Sequence, residues 1–444
     1  MFSQLDEIGV DAAVARVYEH GWQSWSPSTS YPVTARSARP PSDDRRRMSY
    51  RAEAPGPPDG FQGEGLLAID TGAAVHVYSA ADGFEEVPSI RASFVDGVVH
   101  VAANGPVVAV RSNTGLDTAL AAWATGFAAR AGTEPSFRAP PTVWCSWYAY
   151  GAAVTQPQIE EDLHSLGTEK LPVDVVQIDD GWQAGIGDWR PRPDRFASLD
   201  RLVERIRQAG RRAGIWVAPF LVGADSALAA EHPEWLIGGP DGHPACAGHH
   251  WGQAVYGLDA THPGAADHLR QVFAGLGAAG FDYVKLDFLY AGALVGSRHT
   301  GVAPLAAYRA GVGLIRDVLG PSAYLLGCGA PILPSVGLFD AMRVSADIAP
   351  HYEPSDGDPA SPSQRGATLS TVGRAWQHGR FWVNDPDCLV AGPAVERRAD
   401  WAGVVERYGG LRASSDRIAD LDEWGLATTR RLLSTVPPPT PFVS

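Results

Sequence analysis

Residues 173–220 indicate the fold most directly, because they contain VDVVQID (173–179), LDRLVERIRQAG (199–210) and RAGIWVAPF (212–220) in that order. The first and third runs are short and apolar, whereas the second repeats its apolar residues with the period of an amphipathic helix. A strand, a helix and a second strand in this order predict a βαβ unit whose two strands lie parallel in one sheet.

The same alternation continues on both sides of this unit. The candidate strands, in chain order, are TVWCSWY (142–148), VDVVQID, RAGIWVAPF, YVKLDF (283–288), AYLLGCG (323–329), AMRVS (341–345), RFWVND (380–385) and a weaker eighth run near RYGGLRA (407–413). Eight such units predict an α/β fold of the (β/α)8 TIM-barrel type. A doubly wound open sheet is the alternative, but no glycine-rich dinucleotide loop follows the first strand.

Residues 1–138 have a different pattern, in which short β-like runs alternate with Gly, Asp and Pro. This pattern predicts a shortened, sandwich-like N-terminal β domain that contributes to the active site of the barrel. Within it, the stretch Pro32–Pro58 is rich in Pro, Ser and Arg and predicts a loop, and LDTALAAWATGFAARAG (116–132) predicts a helix. We expect the barrel to span residues 139–433 and a Pro-rich tail to follow at 434–444.

The composition excludes several classes of protein. Hydrophobic residues make up 45% of the 444 residues, yet no apolar run is long enough to cross a membrane. The formal net charge of −14 argues against a nucleic-acid partner, since phosphate binding needs a basic surface, and suits a small neutral ligand. The first residues lack the pattern of a signal peptide, and the four cysteines show no metal or redox spacing. We therefore expect reduced thiols and a cytoplasmic location.

Charged residues lie at or near the ends of two of the predicted strands, where buried apolar residues would be the rule. Alternation along the fourth strand places Lys285 and Asp287 on the same side, facing into the barrel. A lysine beside an aspartate favours the ionised carboxylate that a nucleophile requires, although a structural ion pair is the alternative. On the sixth strand Arg343 faces inward and Asp347 lies on the following loop. Glycoside cleavage needs a second carboxylate there, and a turn cap before the next proline is the alternative.

Other polar motifs have competing interpretations. Asp179 and Asp180 end the second strand, and adjacent carboxylates can both accept hydrogen bonds from sugar hydroxyls. A helix N-cap and a divalent-metal site are alternatives, but no further ligand lies nearby at metal spacing. Asp385 and Asp387 in WVNDPDCL are most simply explained by a turn. For the pair His249 and His250, adjacent positions face apart, which favours surface exposure.

Aromatic residues are abundant, with fourteen tryptophans in the chain. Trp22 and Trp25 lie in the N-terminal region, and others lie near the predicted strand ends. An aromatic face can stack on the apolar face of a pyranose ring, but a tryptophan-rich core is an equal alternative.

Taken together, these motifs resemble glycoside hydrolase family 36, the microbial α-galactosidases. The motifs that carry the resemblance are WQSWSP, WCSWY, QIDDGW, GIWVAPF, YVKLDFLYAGA, LLGCGAPILPSVG, FDAMRVSADIAP and FWVNDPDCL, which occur in the family's order. The resemblance implies a retaining α-galactosidase that needs no cofactor or metal and acts on a small neutral α-galactoside. Relatives often have larger N- and C-terminal domains, so the oligomeric state and the use of large substrates stay open.

The resemblance also implies roles for individual residues. Asp287 is the nucleophile and Asp347 the general acid/base. The implied substrate-binding residues are Asp179 and Asp180 at the galactose O4 and O6 hydroxyls, Lys285, Arg343, Cys328 near C2, Trp216, Tyr148 and Trp25. An α-glucosidase of family 31 is an alternative, but nucleophile motifs there are of the DMNE type and this chain has DFLY. An α-N-acetylgalactosaminidase and a non-catalytic carbohydrate-binding barrel also stay open.

Overall fold

The computed structural model describes residues 1–133 and 137–442, and its N-terminal part consists of two antiparallel sheets. Its elements are β1 (Ser3–Gly9), β2 (Arg16–Glu19), β3 (Thr29–Pro32), α1 (Asp43–Ser49), β4 (Phe61–Glu64), β5 (Leu66–Asp70), β6 (Val75–Ala80), β7 (Ser89–Val95), β8 (Val98–Ala103), β9 (Val107–Ser112) and α2 (Leu116–Arg130). The sheets have the strand orders β1-β8-β7-β4 and β3-β2-β5-β6-β9. In β8 every second residue is buried, as expected for a strand with one face on the core.

The stretch Pro32–Pro58, predicted to be a loop, contains the short helix α1, so that prediction is wrong in part. The side chain of Ser42 caps the helix by accepting a hydrogen bond from the backbone N–H of Arg45. Acidic residues occupy the first turn of α1 and arginines the last, which suits the helix dipole. The sequence SDDRRR therefore contained a helix signal that the surrounding prolines obscured.

The C-terminal part alternates strands and helices. Its strands are β10 (Thr142–Cys145), β11 (Val175–Ile178), β12 (Arg212–Val217), β13 (Leu221–Gly223), β14 (Cys246–His250), β15 (Gln253–Gly257), β16 (Phe281–Leu286), β17 (Tyr324–Gly327), β18 (Ala341–Arg343), β19 (Val383–Asp385) and β20 (Arg412–Ser414). Its helices are α3 (Trp147–Tyr150), α4 (Gln156–Thr168), α5 (Leu199–Gln208), α6 (Ala227–Glu231), α7 (Pro263–Ala279), α8 (Pro304–Leu319), α9 (Gln364–Gly373), α10 (Arg398–Tyr408) and α11 (Glu423–Leu433).

Eight of these strands form one parallel sheet in the order β19-β18-β17-β16-β12-β11-β10-β20. The weak eighth strand is present as β20, where Arg412 pairs with Thr142 of β10. The two end strands close on each other, because the N–H of Leu411 donates to the carbonyl of Asn384 at 3.0 Å. The predicted barrel with a preceding β domain is thus confirmed, whereas the boundaries at 138 and 433 stay predictions.

The side chain of Arg374 holds the N-terminal part against the barrel near its mouth. The guanidinium donates to the carbonyls of Gln23, Ser24 and Ser26 and also to that of Val344, which directly follows β18. Burial lowers the pKa of Arg374 to about 10. These bonds fix the loop that contains Trp25 relative to the end of a barrel strand.

The helices and the cysteines bear on the expectations of no membrane span and of reduced thiols. Across residues 1–133 and 137–442, no helix is both long and apolar enough to cross a membrane. All four cysteines are free thiols. The cytoplasmic location stays a prediction.

Candidate active site

A cavity of about 340 Å³ opens at the C-terminal ends of the barrel strands. This is the end at which (β/α)8 barrels place their functional side chains. Nine of the ten side chains singled out from the sequence line it: Trp25, Tyr148, Asp179, Asp180, Trp216, Lys285, Asp287, Arg343 and Asp347. Residues spread over more than three hundred positions in the chain therefore meet in one pocket.

Asp287 is fixed in the depth of this cavity, directly after β16. Its Oδ2 accepts a hydrogen bond from the indole Nε1 of Trp216 at 2.9 Å, and its Oδ1 accepts from the backbone N–H of Phe288 at 2.7 Å. The ammonium of Lys285 lies 3.9 Å from Oδ2. Phe288 has a φ of 49°, a left-handed conformation that is uncommon for a bulky residue and turns its N–H toward the carboxylate.

Lys285 connects Asp287, which follows β16, with Asp179, which follows β11; β12 lies between these two strands in the sheet. Its Nζ lies 3.1 Å from Asp179 Oδ2, which also accepts from the amide of Gln177 at 2.6 Å. Burial alone would lower the pKa of Lys285, but the carboxylates of Asp179 and Asp287 raise it well above its ordinary value. The lysine therefore keeps its positive charge between two carboxylates.

Asp180 lies beside Asp179 but has its own hydrogen-bond partners. The amide of Gln183 donates to Asp180 Oδ1 at 2.6 Å, and the indole of Trp251 donates to Oδ2 at 2.8 Å. Burial raises the pKa of Asp180, and both hydrogen bonds act against that shift. A helix-cap role does not apply, since the next helix, α5, begins only at Leu199.

Arg343 organises the opposite side of the cavity. Its Nη1 donates to Asp347 Oδ1 at 2.7 Å and its Nη2 to Asp387 Oδ1 at 2.5 Å, and its Nε lies 3.5 Å from Asp385 Oδ2. The hydroxyl of Tyr148 donates to Asp387 Oδ2 at 2.5 Å. The side chain of Asp347 is 34% exposed, whereas that of Asp387 is fully buried.

Asp387 is therefore more than the turn residue predicted from WVNDPDCL. Its side chain accepts from Arg343 and Tyr148 and from the backbone N–H of Ile348, next to Asp347. Burial raises the pKa of Asp387 to about 6, while Arg343 acts to lower it. Asp387 thus supports two side chains that line the cavity.

The N-terminal part supplies one wall of the cavity, as the sequence predicted for Trp25. The indole of Trp25 meets Phe288 edge to face, with 5.0 Å between ring centroids. Its Nε1 is buried and, within the described residues, has no hydrogen-bond partner. A buried N–H donor beside the cavity is available to a ligand hydroxyl.

Cys328 is the one predicted site residue that does not line the cavity. It lies directly after β17, is fully buried, and contributes to the apolar core. Burial raises the pKa of its thiol well above the ordinary value, so it stays protonated. Cys328 nevertheless lies close to the charged groups of the site, since Asp287 acts to raise the pKa of its thiol and Arg343 and Lys285 act to lower it.

Several lining residues were missed in the sequence. His250 was expected at the surface with His249, but only His249 is exposed; His250 packs on Trp251 with 4.2 Å between ring centroids and lines the cavity. Trp251 itself was not singled out, although the run HHW is rich in aromatic rings. Trp147 also lines the cavity and was noted among the tryptophans near the strand ends. The missed lining residues are Arg45, Met48, Ser49, His250, Trp251, Phe288, Ile348, Ala360 and Pro362.

Metal binding was the alternative for Asp179 and Asp180. Throughout residues 1–133 and 137–442, no group of three or more His, Cys, Asp and Glu side chains is arranged to hold a metal ion. The hydrogen bonds to Asp179 and Asp180 described above come from protein donors. What the cavity presents to a ligand is a set of paired carboxylates, two buried cations and aromatic walls, which suits a hydroxyl-rich neutral molecule.

Comparison with known proteins relates this chain to α-galactosidases. The family model described as Melibiase matches residues 105–314. TtGalA, an alpha-galactosidase from Thermus thermophilus solved in complex with stachyose, superposes with a TM-score of 0.81 at 30% identity, over 97% of this chain and 93% of that one.

Other relatives match over shorter stretches or at lower identity. Alpha-galactosidase 2 of Pediococcus pentosaceus is 29% identical over 181 residues, which is 38% of this chain but only 24% of that relative. The GH36 alpha-galactosidase AgaA from Geobacillus stearothermophilus superposes with a TM-score of 0.64 at 15% identity, over 96% of this chain and 61% of that one. At that identity the likeness bears on the fold alone.

Proposed function

The chain belongs to the melibiase family of α-galactosidases, and on that basis we propose that it hydrolyses terminal α-linked galactose in small neutral galactosides with retention of configuration. One observation carries the proposal. Asp287 and Asp347 line the same cavity, each beside a cation, with Asp287 held in the depth and Asp347 at the more exposed side. Two carboxylates in one pocket are what retaining glycoside hydrolysis requires.

In the first step Asp287 attacks the anomeric carbon. A bond forms between one Asp287 oxygen and that carbon while the bond to the leaving oxygen breaks, and Asp347 transfers its proton to the leaving oxygen. The hydrogen bonds from Trp216 and Phe288 restrict rotation of the Asp287 carboxylate, which keeps an oxygen directed at the reacting carbon.

In the second step water releases the sugar. Asp347, now a carboxylate, takes a proton from water as the water oxygen attacks the anomeric carbon and the bond to Asp287 breaks. The partial exposure of Asp347 supports this role, because its carboxyl group can exchange protons with water that enters from the mouth.

Galactose recognition is assigned to the buried pair Asp179 and Asp180. Each carboxylate oxygen has two lone pairs, and each Asp180 oxygen has one hydrogen bond from a protein side chain. The remaining lone pairs of Asp180 can accept hydrogen bonds from sugar hydroxyls. Galactose differs from glucose by the axial hydroxyl at C4, so these acceptors would favour galactose.

The proposal is tested with p-nitrophenyl α-galactopyranoside and its α-glucoside counterpart. We expect release of nitrophenol from the galactoside and at most weak release from the glucoside. Proton NMR of the first-formed sugar should show α-galactose before mutarotation. Initial β-galactose would contradict the retaining mechanism, and binding without turnover would favour the non-catalytic alternative.

A further inference from the structure

We propose that helix α1 (Asp43–Ser49) forms the wall of the leaving-group subsite, and that Arg45 donates hydrogen bonds to hydroxyls of a neutral sugar leaving group. This inference rests on the proposed function, because it concerns the part of the same cavity that lies beyond the scissile bond. It assigns a specificity-determining role to a segment that the sequence suggested was only a loop.

Helix α1 is fixed at the cavity by contacts with both parts of the molecule. The amide of Gln23 donates to the carbonyl of Met48 at 2.6 Å, and the hydroxyl of Ser26 donates to that of Ser49 at 2.7 Å. The hydroxyl of Tyr50, directly after the helix, donates to Asp358 at 2.6 Å. Asp358 lies between Asp347 and the start of α9, so α1 is tied to the segment that follows the general acid/base.

Helix α1 also packs tightly on the β14–β15 hairpin. Gly248 has a φ of +130°, and a Cβ atom there would lie 2.4 Å from Cγ of Met48. Only glycine combines that backbone conformation with this close approach. The ring of His249 contacts Asp44 at 3.1 Å from the same hairpin. The helix is therefore held in place before any ligand binds.

The exposed fractions of the charged side chains show which end of the cavity is buried and which end is the mouth. The side chain of Asp179 is 2% exposed and that of Asp287 is 9% exposed, whereas that of Asp347 is 34% exposed. The general acid must contact the leaving oxygen, so the leaving group lies on the Asp347 side, toward the mouth. Arg45 lines the same cavity and is 29% exposed, a fraction close to that of Asp347, so it too lies away from the buried end.

The chemistry of this wall fits a sugar. Met48, Ala360 and Pro362 present apolar surface, as one face of a pyranose does, and Arg45 supplies several N–H donors. Among the described residues, the one carboxylate within 4 Å of the Arg45 guanidinium is that of Asp356, at 3.7 Å, which is beyond a normal hydrogen bond. Lys285 and Arg343, by contrast, are each held by two or more buried carboxylates. Of these three cations Arg45 is the one that can turn to a ligand.

The test compares Arg45→Ala with Arg47→Ala, a matched loss of an arginine from the same helix at a position that does not line the cavity. Each variant is assayed on an α-1,6-galactosyl disaccharide and on α-galactosyl fluoride, whose leaving group contains no sugar. Inhibition by free galactose, which fills only the glycone side, is measured alongside. We expect Arg45→Ala to lose roughly tenfold in kcat/KM on the disaccharide, the size of a hydrogen bond from a charged donor. Activity on the fluoride and the galactose inhibition constant should change less than about twofold.

A further variant shows whether Arg45 contacts the leaving group or only holds helix α1 in place. Asp356→Asn removes the charged neighbour of Arg45 but leaves the arginine in place, so it should retain most of the disaccharide activity. If Asp356→Asn reproduces the loss seen in Arg45→Ala, Arg45 acts by anchoring the helix and the inference is overturned. Equal losses on both substrates, or no loss on the disaccharide, also overturn it. A wild-type protein that hydrolyses neither substrate would instead refute the proposed function, and this inference with it.

Discussion

The cavity has two regions, one containing Asp287 and the other Asp347, and they differ in how their carboxylates are paired with cations. The strand-end region consists of Asp179, Asp180, Lys285 and Asp287. In it the Nζ of Lys285 lies 3.1 Å from Asp179 Oδ2 and 3.9 Å from Asp287 Oδ2, and the other hydrogen bonds to these two carboxylates come from neutral donors. The second region is called the loop region because Asp347 and Asp387 lie on loops; it also contains Tyr148 and the strand ends Arg343 and Asp385. Here the guanidinium of Arg343 contacts three carboxylates at 2.5 to 3.5 Å.

The difference explains how two residues of the same type can have different roles. The side chains of the strand-end region are almost fully buried and their hydrogen bonds fix Asp287, which suits the proposed nucleophile because it must keep its charge and direction. The loop region reaches the mouth, and Asp347 is partly exposed there, which suits a residue that must gain and lose a proton in each turnover. In the proposed mechanism, environment rather than residue type separates the nucleophile from the acid/base.

The largest expected effect comes from removing Asp287, the proposed nucleophile, in the strand-end region. Asp287→Ala should lower kcat by roughly four orders of magnitude or more, since no covalent intermediate can form. Azide should partly restore turnover and give β-galactosyl azide, which mass spectrometry and NMR would identify. Near-normal turnover of this variant would mean that the strand-end region does not contain the nucleophile.

Removing Asp347, the proposed acid in the loop region, should give a smaller loss of activity that depends on the substrate. Asp347→Ala should lower the rate on a disaccharide by about 10²- to 10⁴-fold, because its leaving oxygen needs a proton. The first step with an activated aryl galactoside needs little protonation and should suffer less. Steady-state and burst kinetics on both substrates measure this dependence on the leaving group. Equal losses of rate on the two substrates would contradict the proposed role of Asp347.

Sugar selectivity should depend on the strand-end region alone. Asp180→Asn should reduce kcat/KM on α-galactosides by about a hundredfold and on α-glucosides far less, since a charged acceptor for the axial hydroxyl is lost. Asp200→Asn, on the exposed side of α5, is the control. A parallel fall on both sugars, with a lower melting temperature, would assign Asp180 a structural role only.

The smallest effect concerns stability and pH in the loop region. Burial raises the pKa of Asp387 to about 6, above the value of about 3.9 for an unfolded chain. The protonated form therefore favours the folded state: its contribution is present below about pH 4 and is lost as the pH rises through 6. Between pH 4 and 7, Asp387→Asn should gain stability relative to wild type by on the order of 2–3 kcal/mol.

Chemical denaturation across that pH range would measure this trend. Asp416→Asn is a matched control, because burial also raises the pKa of Asp416 to about 6 and Asp416 does not line the cavity. Both variants should show the same pH trend, but only Asp387→Asn should change KM. A stability difference that does not vary with pH would show that Asp387 is already ionised at pH 4 in the folded protein.

Much of the fold and of the candidate site could be predicted from the sequence, because the patterns that indicate them are local. Apolar runs and intervening amphipathic helices predicted eight parallel strands, and alternation along YVKLDF placed Lys285 and Asp287 on the inward side. The position of a charge at the end of a buried strand was enough to single out Asp179, Asp180 and Arg343. The family motifs added Trp216, Tyr148 and Trp25, which also line the cavity.

The sequence failed where contacts depend on how distant segments pack. Nothing local in HHWG indicates that the hairpin containing Trp251 folds over the barrel mouth, so that its indole donates to Asp180, 71 positions earlier. Asp387 looked like a turn residue because its partners, Arg343 and Tyr148, are 44 and 239 positions away. Cys328 is buried in the core and does not line the cavity, although its thiol lies near Asp287 and Lys285, so its role at the sugar stays a prediction.

The barrel was already encoded in the order of residues, because the period of apolar residues fixes which elements form and which side of each strand is buried. The charges at the strand ends were encoded there as well. Tertiary packing, in contrast, set which of those charges share a cation, how exposed each carboxylate is, and that helix α1 lies at the cavity mouth. Those properties depend on distances between segments far apart in the chain, which local periodicity does not encode.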